Sequence, residues 1–249
     1  VVSADLIKKA LNSLHVESID SMLAYYIEQL LEYLETFSCD DELFALELRF
    51  VRLLHEKPKC YLYRRMAEDP EAFLLIVSVA YNLGLAEEKS LKISDDVRIA
   101  FIFQILYNWK IAPGYDSDGN FDEQVFHKWI ESARSETKDE RALEHIDREI
   151  GRTLFYAKPE NDFFLPKAVA EFLENNEAAL QGYGFEIINS RGVFTVDPTG
   201  APEDKLADEY GQKAAEAEVM GHLNIAVVMR SIACSYRDEA ERRRNETWD

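Results

Sequence analysis

Residues 69–83, Asp-Pro-Glu-Ala-Phe-Leu-Leu-Ile-Val-Ser-Val-Ala-Tyr-Asn-Leu, decide the fold class of this chain. Asp69 is a suitable N-cap residue, and Pro70 suits the first helical position because that position needs no N–H partner. The residues that follow are apolar on every face, which indicates a buried helix. The run is too short to cross a membrane, which takes about 20 apolar residues. We therefore expect a central helix surrounded by other helices.

A second helix of this kind is predicted at 97–109, after the start signal Ser94-Asp95-Asp96. Two helices without a polar face must be covered on both sides, which favours a multi-layer array over a four-helix bundle. Apolar periodicity predicts about ten helices in all. The others are expected near 3–14, 18–37, 43–54, 58–66, from 122 onward, 138–157, 166–180, 203–219 and 224–243. The predicted fold is all-α, a layered or solenoid-like array, without the fixed period of a known repeat family.

The predicted helix at 18–37 carries the longest apolar stripe. Its members are Ile19, Met22, Leu23, Tyr26, Ile27, Leu30, Leu31, Leu34 and Phe37. We interpret the stripe as a core face, because tertiary packing is what usually stabilises such helices. A partner-binding groove is the alternative.

One short β element is predicted within the helical chain, at 185–196. Phe185-Glu-Ile-Ile188 and Val193-Phe-Thr-Val196 are typical of strands, and Asn189-Ser-Arg-Gly192 between them is typical of a turn. An isolated hairpin is marginally stable in water, so this one should pack on the helices or meet a partner. Gly151, within a predicted helix, is expected to let a neighbouring helix come close.

Two subdomains are predicted. The first, 1–111, is built on the helices at 70–83 and 97–109, and the second, 112–249, carries the hairpin. One continuous domain is the alternative. The chain begins with Val1 and not with Met, and we expect it to be a fragment of a longer protein.

Charge and cysteine content bound the function. The chain has 47 acidic and 28 basic side chains, a net charge of −19. Such a surface repels phosphate and anionic lipid, which argues against nucleic-acid and membrane partners. It is either a solvated surface or a dock for a basic partner. Cys39, Cys60 and Cys234 lie far apart in no metal-ligand spacing, and no signal peptide is visible, so a cytoplasmic protein is expected.

No sequence motif indicates catalysis or a cofactor. Asp116-Ser-Asp118-Gly-Asn120 resembles the start of a calcium loop, but both possible registers fail the EF-hand rule: one would need Gly114 and Val125 as ligands, and the other puts Phe121 at the glycine position. The chain also has no Glu-x-x-His pair, no phosphate-binding glycine motif and no Gly-x-Ser-x-Gly motif. We predict no catalytic residues, no metal and no cofactor.

Two groups of candidate binding residues stand out. Trp109, Tyr115 and Trp129 bracket the loop at 112–120, either as an aromatic-lined pocket or interface anchor or, as we favour, as a seal between helices. The better candidate is the turn of the predicted hairpin. Its residues are Asn189, Arg191 and Phe194.

Several short words of sequence resemble helical regions of large bacterial multidomain proteins. They are Leu46-Glu-Leu-Arg-Phe-Val-Arg-Leu-Leu54, Arg65-Met-Ala-Glu-Asp-Pro-Glu-Ala-Phe73, Asn108-Trp-Lys-Ile-Ala-Pro-Gly114 and Asn189-Ser-Arg-Gly192. The resemblance implies a non-catalytic helical module attached to an NTPase or effector domain elsewhere. It carries over no functional residue.

The sequence thus favours a non-catalytic protein-interaction or sensor module of a larger bacterial protein. Its partner would be another protein or the rest of its own polypeptide, with the oligomeric state open. One alternative is an all-α enzyme that uses carboxylates or a metal, because acidic residues occur throughout the chain. The other alternative is a structural dimerisation domain.

Overall fold

A computed structural model describes residues 3–15, 19–54, 60–85, 99–160, 163–192 and 197–245. These residues form thirteen helices. They are α1 Ala4–Ser13, α2 Ser21–Glu35, α3 Asp41–Arg49, α4 Val51–Leu54, α5 Tyr61–Glu68, α6 Pro70–Tyr81, α7 Ile99–Asn108, α8 Glu123–Ser135, α9 Glu140–Leu154, α10 Lys167–Glu174, α11 Glu177–Asn189, α12 Ala201–Val219 and α13 Leu223–Asn245. Within the described ranges the only β pairing consists of two isolated bridges, Tyr115–Phe121 and Glu160–Phe163. The all-α prediction is confirmed.

The chain divides into two compact units, Val1–Ile146 and Asp147–Asp249. The division falls within α9. The sequence predicts a boundary after residue 111, which lies inside the first unit. The predicted division into subdomains 1–111 and 112–249 therefore stays a prediction.

Helix α6 forms as its sequence predicts. The Asp69 carboxylate accepts a hydrogen bond from the Glu71 backbone N–H at 3.0 Å, and Pro70 occupies the first turn. Asn82 ends the helix in the left-handed conformation with φ of +52°, a cap position that suits asparagine. Residues 72–78 and Ala80 are buried, which covers every side of the helix, and α5, α7 and α8 pack on it. Helix α6 is thus the centre of the first unit.

Helix α7 is less enclosed than its sequence suggests. Ile102, Ile105 and Leu106 are buried, whereas Phe103 and Tyr107 are 43% and 52% exposed. One side of α7 packs on α6, where Phe103 also contacts the Tyr81 ring at 5.5 Å. The apolar composition of α7 therefore does not mean that the helix is buried on every face.

The predicted β-hairpin is wrong. Its first strand, residues 185–188, lies in α11, and its second strand, residues 193–196, falls outside the described residues. Asn176 caps α11 by accepting a hydrogen bond from the Ala179 N–H at 3.1 Å. Packing explains the glycine within α11, because a Cβ on Gly182 would lie 2.0 Å from the Arg148 carbonyl oxygen of α9. This contact with α9 outweighs the local β preference of residues 185–188.

Gly151 has the role that the sequence predicts. A Cβ at this position would lie 1.8 Å from the carbonyl oxygen of Ala179. Gly151 and Gly182 therefore let α9 and α11 approach until their backbones nearly touch, at two points of the second unit.

Helices α12 and α13 form at the positions that the sequence predicts and make an antiparallel pair. The short turn around Gly221, with φ of +86°, reverses the chain between them. Tyr210 and Tyr236 stack across the pair with ring centroids 5.9 Å apart.

Candidate functional site

The predicted aromatic site lies in the core of the first unit. Trp109 and Trp129 are each 3% exposed and lie 5.1 and 5.2 Å from the ring of Phe73, on α6. Tyr115 is half-buried and packs on Phe121 at 5.1 Å. This arrangement matches the interpretation of these side chains as a seal between helices. A binding role for the three stays a prediction.

The loop beside these aromatics is closed by its own hydrogen bonds. The Asp116 carboxylate accepts from the backbone N–H groups of Asp118 and Asn120 and from the Asn120 side chain, at 2.8–3.0 Å. These bonds, led by the one from the Asn120 side chain, hold the pKa of Asp116 below its usual value. Gly114 has a φ of +91°, and a Cβ there would lie 2.8 Å from Phe126. The carboxylate that resembles a calcium ligand in sequence thus shapes a turn.

The predicted hairpin-turn residues belong to the end of α11. Arg191 forms ion pairs with Glu203 of α12 and, at 3.4 Å, with Glu239 of α13. Its guanidinium also lies 5.4 Å from the centre of the Tyr236 ring. Arg191 therefore connects three helices of the second unit. Asn189 is the last residue of α11, and Phe194 falls outside the described residues. The predicted role of these residues in binding stays untested.

A second buried ionic cluster connects α9 and α11. Arg152 lies 2.9 Å from Glu149 and 3.3 Å from Glu186, and the Tyr156 hydroxyl donates to Glu186 at 2.6 Å. Both carboxylates are 4% exposed. A buried carboxylate requires such partners, because moving an unpaired charge out of water costs on the order of several kcal/mol. The cluster accounts for these acids as packing elements of the second unit.

A pair of carboxyl groups meets the start of α5. Glu47 of α3, 1% exposed, accepts hydrogen bonds from the backbone N–H groups of Tyr61 and Leu62. Glu35 of α2 accepts from the same Tyr61 N–H at 3.2 Å and forms an ion pair with Arg64 at 2.6 Å. Burial, reinforced by the neighbouring charge of Glu35, raises the pKa of Glu47 from 4.5 to about 8. The pair joins three helices of the first unit.

An exposed apolar surface in the first unit lies on α1, on α2 and just after α2, and we call it the α1–α2 face. It comprises Leu6, Met22, Tyr25, Tyr26, Tyr33 and Phe37, which are between 38% and 67% exposed. A groove of about 580 Å³ runs through it, lined by Ile7, Tyr26, Gln29, Leu30 and Tyr33. Exposed apolar patches of this kind on a folded protein commonly mark interaction sites.

The α1–α2 face corrects the interpretation of the stripe at 18–37 as a core face. Ile27, Leu31 and Leu34 are buried, but Met22, Tyr26 and Phe37 of the same stripe are exposed. At about 100° per residue the stripe covers about 180° of the helix surface, which is wider than the roughly 100° that a one-sided core contact needs. That width is the sequence signal that could have revealed the surface.

Ion pairs and hydrogen bonds fix α1, one wall of the groove. The Lys8 ammonium is nearly buried and lies 2.8 Å from Asp40 and 3.2 Å from Glu42. Arg49 of α3 donates to the carbonyl oxygens of Asn12 and Leu14, at 2.8 and 2.7 Å. Contacts with α3 and its N-cap Asp40 therefore hold α1 at its middle and at its C-terminal end.

The rest of the described chain offers few other features for a site. No set of three or more His, Cys, Asp or Glu side chains is placed to hold a metal ion in the parts that the structure describes. Of the described helices, none combines the length and the apolar character needed to cross a membrane. Comparison with protein-family models, curated proteins and solved structures finds no match.

Proposed function

We propose that the chain is a non-catalytic protein-interaction module that binds a helical segment of a protein partner in the groove of the α1–α2 face. The observation that carries the proposal is the exposure of Met22, Tyr26, Tyr33 and Phe37 along one side of α2. The resemblance of the sequence to helical regions of large bacterial multidomain proteins implies the same class of function. A cytoplasmic setting belongs to the proposal and is supported by Cys39, Cys60 and Cys234, all free thiols.

The shape of the groove favours a helix as its ligand. The exposed side chains from Met22 to Tyr33 follow the i, i+4, i+7 pattern and extend over about 17 Å, or three helical turns. An amphipathic helix presents its own apolar side chains with this spacing. An extended peptide would instead pair with a sheet edge, and the described residues form no strand.

The composition of the face favours a protein partner. Tyrosine, phenylalanine and methionine are enriched in interfaces between proteins, and tyrosine is frequent among the residues that dominate binding energy. Tyr25 and Tyr26 contact each other edge to face at 5.7 Å, and so do Tyr33 and Phe37 at 4.8 Å. These contacts order the side chains before a partner arrives, which lowers the entropy cost of binding.

The layered or solenoid-like arrangement of the array is also part of the proposal. Within the first unit it is supported by α5, α7 and α8, which pack on α6. Such an array supplies a rigid body on which α1 and α2 present their outer side.

Tyr26→Ser is expected to weaken binding of a neutral amphipathic peptide by at least about tenfold, because a central aromatic side chain contributes more than about 1.4 kcal/mol to such a contact. The probe is a fluorescein-labelled helix of about four turns with a leucine stripe and glutamine elsewhere. Fluorescence anisotropy with the full chain measures the dissociation constant.

The matched control is Tyr107→Ser on α7. Tyr107 is 52% exposed and Tyr26 is 55% exposed, so the two substitutions remove similar accessible side chains. The control is expected to bind the peptide like the wild type. Equal binding by wild type and Tyr26→Ser, or no binding by the wild type, would contradict the proposed function.

A further inference from the structure

We infer that the helix bound by the α1–α2 face is basic on its polar side. The inference rests on the proposed function and adds the charge of the partner. The net charge of −19 makes the electrostatic potential around the chain negative overall, and the charged side chains beside the groove determine the potential there.

The charged side chains of α2 are all acidic: Glu28, Glu32 and Glu35. Glu28 and Glu35 follow the groove residues Tyr26 and Tyr33 by two positions, which puts them about 200° around the helix, so Glu32 is the one that borders the groove. Glu32 is exposed and lies beside the groove residue Gln29, whose amide donates to it at 3.3 Å. Asp20, also exposed, caps the start of the helix. A ligand in the groove therefore lies along an acidic rim on its α2 side.

The bases of α1 do not neutralise this rim. Lys8 is 7% exposed and is already paired with Asp40, the N-cap of α3, and with Glu42 of α3. Lys9 follows Ile7 by two residues, which puts it about 200° around the helix from that groove residue. The ligand that complements both the apolar floor and this rim carries lysine or arginine beside its apolar stripe.

The same charges argue against a second copy of the chain as the occupant. Two copies joined through their α1–α2 faces would bring the Glu32 carboxylates into one interface, and each copy carries the same net negative charge. A large net charge of one sign keeps proteins apart. A basic helix of a different protein gains from the field that repels a second copy.

The test compares three labelled peptides with one leucine stripe and lysine, glutamine or glutamate at the polar positions. Against the full chain in low salt, the lysine peptide is expected to bind at least about fivefold more tightly than the glutamine peptide, and the glutamate peptide most weakly. The difference should shrink at high ionic strength, because the screening length falls from about 10 Å at 0.1 M to about 3 Å at 1 M.

Two variants locate the effect. Glu32→Lys is expected to lower the preference for the lysine peptide by at least about threefold. Asp208→Lys on α12 makes the same change in net charge away from the groove and should retain most of the preference for the lysine peptide. Tyr26→Ser should weaken the binding of all three peptides.

The outcomes separate the two proposals. Equal, Tyr26-dependent binding of the lysine and glutamine peptides would overturn the inference of a basic partner and leave the proposed function standing. A preference for lysine that is lost equally in Glu32→Lys and Asp208→Lys would also overturn the inference. Failure of every peptide to bind, or a dimer in light scattering that Tyr26→Ser abolishes, would overturn the proposed function and the inference with it.

Discussion

Gly151→Ala is expected to lower the free energy of unfolding by about 3 kcal/mol or more, at the upper end of what overpacking a protein interior costs. The added Cβ would lie 1.8 Å from the carbonyl oxygen and 2.5 Å from the carbonyl carbon of Ala179. Both are backbone atoms of α11 and cannot rotate away as a side chain does. The whole helix must shift, and that shift separates the Arg152 and Glu186 side chains from their present 3.3 Å contact.

Urea denaturation of the full chain measures this effect, with Gly211→Ala as the matched control. Gly211 also lies within a helix, α12, but a Cβ there meets only the end of the Arg237 side chain, at 3.8 Å. The unfolding free energy of the control should increase by up to about 1 kcal/mol, because alanine favours a helix more than glycine does. A Gly151→Ala variant as stable as the wild type would show that α9 and α11 are not in backbone contact.

Stability is expected to fall as the pH rises from about 4.5 to 8 because of Glu47, whose pKa burial raises from 4.5 to about 8. Below this range the carboxyl group is protonated in the folded and the unfolded chain alike. Within it the folded chain binds one proton more than the unfolded chain, so the unfolding free energy decreases as the pH rises. Each pH unit in this window removes up to about 1.4 kcal/mol.

Glu47→Gln is expected to abolish this dependence, because the amide imitates the protonated carboxyl group. Its oxygen can accept from the Leu62 N–H, and its NH₂ group can donate to Glu35. The measured quantity is the difference in unfolding free energy between variant and wild type at pH 5 and at pH 8. The variant should be the more stable of the two by a larger margin at pH 8.

The control for the pH series is Glu131→Gln on α8. The Glu131 side chain is exposed, so the solvent around it is similar before and after unfolding. The unfolding free energy of Glu131→Gln should change with pH as that of the wild type does. If the difference between wild type and Glu47→Gln were the same at pH 5 and pH 8, Glu47 would not be a buried acid at the start of α5.

Much of the helical fold follows from the sequence because periodicity and caps act locally. Asp69, Pro70 and the apolar run after them predict α6 and its burial together. The residues at 185–188 mislead because Phe, Ile and Ile favour a strand locally, while the contact of Gly182 with α9 depends on residues more than 30 positions earlier in the chain. Tertiary contacts of that separation leave no local signal.

The interaction surface is harder to predict than the helix that carries it. The stripe at 18–37 includes most apolar positions of α2 but omits Tyr25 and Tyr33 of the α1–α2 face, and Ile27 and Tyr26 look alike in sequence until their neighbours are known. Ile27 is fully buried, whereas Tyr26 is 55% exposed and lines the groove of the α1–α2 face. Trp109 and Trp129 show the same difficulty, because large aromatics serve cores and interfaces equally well and their sequence pattern is compatible with both roles.

Amide hydrogen exchange of the full chain, with and without the lysine peptide, tests most directly whether the α1–α2 face is the binding surface. We expect exchange to slow in Ala4–Ser13 and Ser21–Glu35 and to remain unchanged in α12 and α13. Tyr26→Ser should remove the effect, and Tyr107→Ser should preserve it. Slowed exchange that avoids α1 and α2, or that persists in Tyr26→Ser, would contradict the account.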